Sequence, residues 1–337
     1  MEMIVPPRIK KGEYVGFVSP SAGPAPLALH RVENAKRALE KLGYKVKIAP
    51  HALQSKGDVS GTPEERVSDM HEMFRDPEVK MIMCTIGGND SNQLIGRLDY
   101  DLIRKNPKIF VGYSDITVLH YAIGSQAGLS TYYGPCAMTQ FAEYPEILKY
   151  TLDYFNREVS AEMTDEPYQL MASATWTDEF LNWFEKKDLE LARKLKPNSG
   201  YEWLREGVAE GPAIGGAILS VNHLAGTKYW RDPRRSIFFL DILKEDGLLN
   251  ENAVGSLLTD LENLGVFADI NGLIVSKPAG FSEEETKRLK DTILSRFRDK
   301  KCPIAFNVNI GHADPIATIR YGRKLRLDSS KNEIMAL

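Results

Sequence analysis

The first third of the chain alternates short apolar runs with helical stripes. Residues 14–18, 44–48 and 81–86 are runs of strand length rich in Val, Ile, Met and Phe. Residues 27–42, stopped by Gly43, and residues 63–75 carry apolar positions at helical spacing; residues 94–105 read as a broken helix. Pro107 precedes another apolar strand, and Ile116, Leu119, His120, Ala122 and Ile123 then fall on one helical face. Three of these strands end in turn-forming residues: Ser19–Pro24, Gly87-Gly88-Asn89-Asp90, and the turn at Ser114. From residue 143 to about 206 the chain is rich in Trp, Tyr, Lys and Glu with few strand runs, which predicts helices and long loops. The last third returns to mixed α/β patterning. Strands are expected at 236–242, 272–276 and 303–310, with helices at 219–225, 253–264 and 283–298.

This alternation predicts an α/β protein with a parallel, Rossmann-like sheet flanked by helices and a smaller C-terminal mixed α/β domain. Such sheets place ligands at the carboxyl ends of their strands, where the Ser21, Gly88 and Ser114 turns could meet. The expected organisation is a domain over 1–160, a linker and site wall over 161–206, and a domain over 207–337. A length of 337 residues exceeds one typical core, which also favours two domains.

A net charge of -3 argues against nucleic acid or an anionic membrane as the main partner. Residues 1–11 carry no apolar stretch of signal-peptide length, and no window approaches a membrane span. Cys84, Cys136 and Cys302 lie far apart, mostly in apolar runs, and read as reduced thiols. The expectation is a soluble cytoplasmic protein.

Ser114 stands between a buried strand and a helix, where its hydroxyl is exposed beside the free amides of a first helical turn. That position suits a nucleophile with an oxyanion site beside it; it equally suits a helix cap, a role open to Ser114 and Asp115 alike. Of the six histidines only His312 stands on a loop at a strand end, after Gly311. Asp241 ends a buried strand, where a carboxylate needs a partner. Asp314 is a second carboxylate close enough to orient His312, or a turn-forming residue before Pro315. Gly87-Gly88 lacks the lysine of a phosphate-binding loop, and Ile116 stands where a Gly-x-Ser-x-Gly elbow has its second glycine. No metal-ligand spacing is present.

Taken together, Val18–Ser21, Ile86–Asn92, Leu98–Tyr100, Asn106–Thr117, Tyr133–Pro135, Trp176–Glu179, Gly215-Gly216, Phe239–Asp241 and Gly311-His312 resemble the serine LD-carboxypeptidases and the related microcin C self-immunity peptidases. The Gly-Gly-Asn-Asp turn and the Trp176 region are more similar to the immunity branch. The resemblance implies a site in a cleft between two domains, with Ser114 as nucleophile and His312 as general base. It places Asp241 where the family carries an orienting glutamate, and assigns the oxyanion hole to the amides of Gly88 and Asp115. Asn89 and Trp176 would contact substrate. A homodimer with no metal or organic cofactor is implied. Two departures stand out: Asp241 is one methylene short, and Ala217 follows Gly215-Gly216 where the immunity branch often has asparagine.

The expected activity is hydrolysis of an amide next to a terminal group, as in a peptidyl- or aminoacyl-nucleotide resembling microcin C. The alternatives are a murein-tetrapeptide LD-carboxypeptidase of peptidoglycan recycling, an esterase acting on small acyl esters, and a catalytically relaxed binding protein on the same scaffold.

Overall fold

Two sheets organise the chain. The computed structural model describes residues 3–245, 249–298 and 300–337. It divides them into one unit of Met1–Asp165, Glu179–Lys194 and Thr318–Arg320, and a second of Glu166–Asp178, Leu195–Ala317 and Tyr321–Leu337.

In the first unit, strands β1 (Tyr14–Val18), β2 (Lys45–Ile48), β3 (Val79–Cys84), β4 (Ile109–Gly112) and β5 (Tyr132–Tyr133) pair in parallel in the order β5-β4-β3-β1-β2. Ile319–Arg320 (β14 in chain order) adds an antiparallel edge beside β5. The connections run through α1 (Leu29–Lys41), α2 (Pro63–Arg75), α3 (Tyr100–Lys105) and α4 (Thr117–Ala122), and α5 (Lys149–Val159) follows. Val15, Phe17, Met81, Met83, Ile109 and Val111 of the central strands share a core with Val32, Ala35 and Leu39 of α1. Burying each of these side chains other than Ala35 contributes roughly 1.5–3 kcal/mol. The start of α2 is fixed by a capping box, because Thr62 accepts from the Glu65 amide while the Glu65 carboxylate accepts from the Thr62 amide.

Two local differences from the sequence pattern have simple causes. The expected broken helix over 94–105 is helical only from Tyr100, where Asp99 caps the Leu102 amide; before it lies a short 3-10 turn, Ser91–Gln93. The stripe beginning at residue 27 becomes α-helical only at Leu29, because Pro24 and Pro26 confine the preceding residues to a 3-10 turn.

The second unit holds an eight-stranded sheet of order β6-β16-β15-β10-β11-β12-β13-β9. Its strands are β6 (Tyr168–Gln169), β9 (Glu202–Arg205), β10 (Val208–Ala217), β11 (Ile237–Asp241), β12 (Gly272–Ser276), β13 (Ile304–Val308), β15 (Lys324–Asp328) and β16 (Glu333–Ala336). β10 through β13 run parallel, and the flanking pairs are antiparallel. Helices α6 (Ile218–His223), α7 (Glu251–Asn263) and α8 (Glu283–Arg296) connect them. Gly215, at φ +152°, brings β10 against β11 so tightly that a Cβ there would sit 2.6 Å from the Phe239 amide nitrogen.

The stretch expected as helices and loops contains α5 and four short strands, including the ribbon β7 (Thr175–Trp176) and β8 (Lys196–Pro197). Their partners are distant in sequence, as where Tyr168 pairs with Ala336, so no local periodicity announces them. Residues 166–178 and 195–206 belong to the second unit, and 179–194 pack with the first. Among the described residues no helix is long and apolar enough to cross a membrane.

Candidate active site

The first unit presents Ser114 at the end of β4, opening a 3-10 turn (Ser114–Ile116) that runs into α4. Its φ of +64° is left-handed, a conformation that costs a non-glycine residue on the order of 1–3 kcal/mol and that clusters at functional sites. Several contacts hold it there. The Thr117 hydroxyl donates to the Ser114 carbonyl at 2.7 Å, and the Ser114 amide donates to the Tyr133 hydroxyl at 3.3 Å. Beneath the turn, buried His120 sits with Nε2 2.9 Å from the Gly112 carbonyl, so it packs rather than meeting solvent.

The three strand-end turns of this unit converge. Gly87 lies so near the serine that a Cβ would stand 2.8 Å from Ser114 Cβ and 3.1 Å from its Oγ. Gly88, at φ +143°, leans on Ser21, whose Oγ would be 2.5 Å from a Cβ placed there. Asp115 does not cap its own helix: its Oδ2 accepts from the Ser21 hydroxyl at 2.6 Å and from the Ser91 amide at 2.8 Å. Gly88 and Asp115 are thereby linked through Ser21, while Asn89 is exposed on the same turn as Gly88.

The second unit brings His312 and Asp241 together. Asp241 is the last residue of β11 and its side chain is fully buried; His312 Nδ1 lies 2.8 Å from its Oδ2, and the His312 amide donates to Oδ1 at 3.3 Å. Gly311, at φ +90°, is what allows this. A Cβ at that position would collide with Oδ1 and Cγ of Asp241 and lie 2.7 Å from Oδ2. The loop therefore approaches the strand end closely enough for the short aspartate side chain to reach the imidazole. Burial pushes the imidazole toward its neutral form, but the charge of Asp241 and its bond to the ring outweigh this, with Asp314 and Glu245 adding, and raise the His312 pKa above its ordinary value. Asp314 itself is engaged through its backbone, exchanging two hydrogen bonds with Thr177 at 2.7 and 2.9 Å.

That exchange also places Trp176, the neighbour of Thr177, beside the His312 loop. Two ammonium groups lie against its ring, Lys277 Nζ at 4.1 Å and Lys196 Nζ at 4.5 Å from the centroid. Burial lowers the Lys277 pKa to about 8, against the pull of Asp178, and its Nζ donates to Asn307 Oδ1 at 2.7 Å. Sequence patterning gave no sign of Lys277 as a site neighbour, whereas the turn carrying Ser21 was expected to meet those of Gly88 and Ser114. Ser21 carried only the signal of a turn after a strand.

His30, His51 and His71 have structural partners. His30 Nε2 is 3.0 Å from Asp188, His51 Nδ1 is 2.7 Å from Asp69, and His71 Nε2 accepts from the Asp99 amide at 2.8 Å; His223 ends α6. Burial keeps the Cys84 and Cys136 thiols protonated, the latter pushed up to about 12.

Comparison with known proteins bears on both halves. Residues 15–134 match the LD-carboxypeptidase N-terminal domain and residues 210–327 the LD-carboxypeptidase C-terminal domain. YocD of Bacillus subtilis is 36% identical, over 96% of this chain and 95% of its own. The microcin C7 self-immunity protein MccF of Escherichia coli is 31% identical, over 96% of this chain and 92% of its own. An MccF-like protein from Bacillus anthracis superposes with a TM-score of 0.88 at 35% identity, covering 99% of each chain. MccF in complex with aspartyl sulfamoyl adenosine superposes at 0.91, with 29% identity, covering 99% of this chain and 98% of its own.

Proposed function

The chain belongs to the LD-carboxypeptidase family and is a hydrolase of the serine carboxypeptidase type, and we propose that it cleaves the amide of a small peptidyl- or aminoacyl-nucleotide resembling microcin C, with Ser114 as its nucleophile. The observation that carries this reading is the left-handed Ser114, pressed against Gly87 at a strand-to-helix turn. Strain of that kind is kept where it exposes a reacting group.

In this reading Ser114 Oγ attacks the scissile carbonyl and His312 Nε2 accepts its proton. Asp241 holds Nδ1 and so fixes which nitrogen carries the proton. The amides of Gly88 and Asp115 stabilise the oxyanion, with Asp115 supplying the donor next to the nucleophile. The C–N bond then breaks, His312 returns the proton to the leaving amine, and water hydrolyses the acyl-serine to release a carboxylate. The nucleotide is favoured over a murein tetrapeptide by Trp176: an aromatic ring flanked by two lysines suits a ligand with both a base and an anionic linkage. MccF, bound to aspartyl sulfamoyl adenosine, supports the same assignment by similarity. The protein would act in the cytoplasm as a homodimer.

The test offers two substrates to the wild type and to Ser114→Ala. One is an aminoacyl adenylate mimic with a scissile carboxamide, the other a diaminopimelyl-D-alanine tetrapeptide. Serine-dependent cleavage of the adenylate mimic is expected. Cleavage of the tetrapeptide alone would move the protein to peptidoglycan recycling. Turnover of neither, with no labelling of Ser114 by a fluorophosphonate, would leave a binding protein.

A further inference from the structure

Asp115 contributes more to the site than the amide beside the nucleophile. Its carboxylate is buried, and Oδ2 alone collects two hydrogen bonds, from the Ser21 hydroxyl at 2.6 Å and the Ser91 amide at 2.8 Å. The Ser91 hydroxyl donates back to the Asp115 carbonyl at 2.8 Å. Ser21 Oγ in turn accepts from the Asp90 amide at 3.1 Å, and the Ala22 amide donates to the Gly87 carbonyl at 3.0 Å. Gly88 is thus bracketed. A Cβ on it would lie 2.5 Å from Ser21 Oγ, and Gly87 just before it and Asp90 two residues after it are bonded to the turn that carries Ser21.

A second buried group braces the same frame from behind. Arg66 of α2 is 1% exposed, and its guanidinium donates to the Pro20 carbonyl at 2.8 Å, the Asp90 carbonyl at 3.2 Å and Gln93 Oε1 at 2.5 Å. Burying these groups is costly unless they are paired, and here the pairing is spent on the turns that follow β1, β3 and β4.

We infer that the Asp115 carboxylate is a positioning residue: acting through Ser21 and Ser91, it sets the distance between the Gly88 amide and Ser114 Oγ. The inference rests on the assignment of Ser114 and of the oxyanion donors made above. An oxyanion donor is felt mainly in the transition state, so displacing one lowers kcat and leaves KM nearly unchanged. Losing such a donor outright costs on the order of 100- to 1,000-fold in kcat, which bounds the effect of moving it.

The geometry makes a sharper demand on the conservative variant. Both bonds end on one oxygen, while Oδ1 is buried without a hydrogen-bond partner. An asparagine can keep its carbonyl oxygen in the Oδ2 place and retain both bonds. Asp115→Asn should therefore keep kcat within about fivefold of wild type. Asp115→Ala and Ser21→Ala, which remove the acceptor and one donor, should lower it by about 10- to 100-fold at similar KM.

The experiment measures kcat and KM on the adenylate mimic, the labelling rate of Ser114 by a fluorophosphonate, and thermal midpoints for wild type, the three variants and Ser114→Ala. In the labelling step Ser114 Oγ bonds phosphorus, fluoride leaves and the serine proton is lost, so the rate reports the same oxyanion geometry. Loss of kcat and labelling in both alanine variants, with Asp115→Asn spared, is the expected result. Alanine variants within threefold of wild type overturn the inference, as does Asp115→Asn falling as far as Asp115→Ala at an unchanged thermal midpoint. Should Asp115→Ala fail to fold, Ser21→Ala decides alone. A wild type that neither turns over nor labels, in contrast, refutes the serine-nucleophile reading itself.

Discussion

Replacing Gly311 by alanine tests whether the short carboxylate at position 241 works because the loop comes to meet it. The perturbation is one methyl group at φ +90°, aimed into the Asp241 carboxylate. Holding an L-residue in that conformation costs about 1–2 kcal/mol. The carboxylate must then retreat from His312 Nδ1, now 2.8 Å away, and it has no solvent to retreat into. Breaking a buried pair of this kind costs about 3–5 kcal/mol. At about 2–4 °C per kcal/mol for a domain of this size, the thermal midpoint should fall by on the order of 10 °C. The chemistry should suffer more. In serine hydrolases generally, loss of the orienting carboxylate lowers kcat by on the order of 10,000-fold, and a displaced one should lose at least about 100-fold.

Gly265→Ala supplies the control, because Gly265 also has positive φ, +75°, but nothing lies within 4 Å of the added carbon. It carries the backbone cost without the collision. The assay is turnover and fluorophosphonate labelling of both variants beside their thermal midpoints. A Gly311→Ala enzyme that matches Gly265→Ala in stability and retains kcat within threefold would refute the argument that the Gly311 approach makes Asp241 sufficient.

Two further outcomes follow from the titrating groups. In the proposed mechanism His312 must be neutral to accept the serine proton, and Asp241 helps hold it above its ordinary pKa, so the alkaline rise of kcat/KM should have its midpoint above about 6.5. Asp241→Asn removes the charge and leaves the burial, so the midpoint should move down in pH while kcat falls; an unmoved midpoint would mean another group is titrating. Lys277 loses its proton near pH 8 while its Nζ lies 4.1 Å from the Trp176 ring centre. Trp176 emission, taken as the difference between wild type and Trp176→Phe, should therefore titrate with a midpoint near 8, and Lys277→Met should abolish the transition.

Part of this molecule is legible in one dimension. The run Ile109–Gly112, the stripe Pro63–Arg75 with its Thr62 cap, and the buried strand Gly272–Ser276 follow from periodicity and capping, because each is decided by neighbours within a few residues. Ser114 and His312 stand out for the same local reason, each on a loop at the end of a buried strand. The strand β6 could not be read this way, since its partner, Ala336 against Tyr168, lies at the other end of the chain. Residues 161–206, expected as one linking segment, are shared between the two units by contacts that no composition encodes.

The available chemistry is visible in the sequence: a histidine after Gly311, a serine at a strand-to-helix turn, and carboxylates at strand ends. The sequence could not choose between Asp241 and Asp314 as the partner of His312, nor say whether Asp115 caps its helix. Tertiary structure decided both. Asp241 meets the imidazole at 2.8 Å because Gly311 has no side chain to keep them apart, and Asp115 turns away from its own helix toward Ser21 and Ser91. Those choices depend on angstrom-scale approaches between segments dozens to more than a hundred residues apart, which packing sets and local pattern does not.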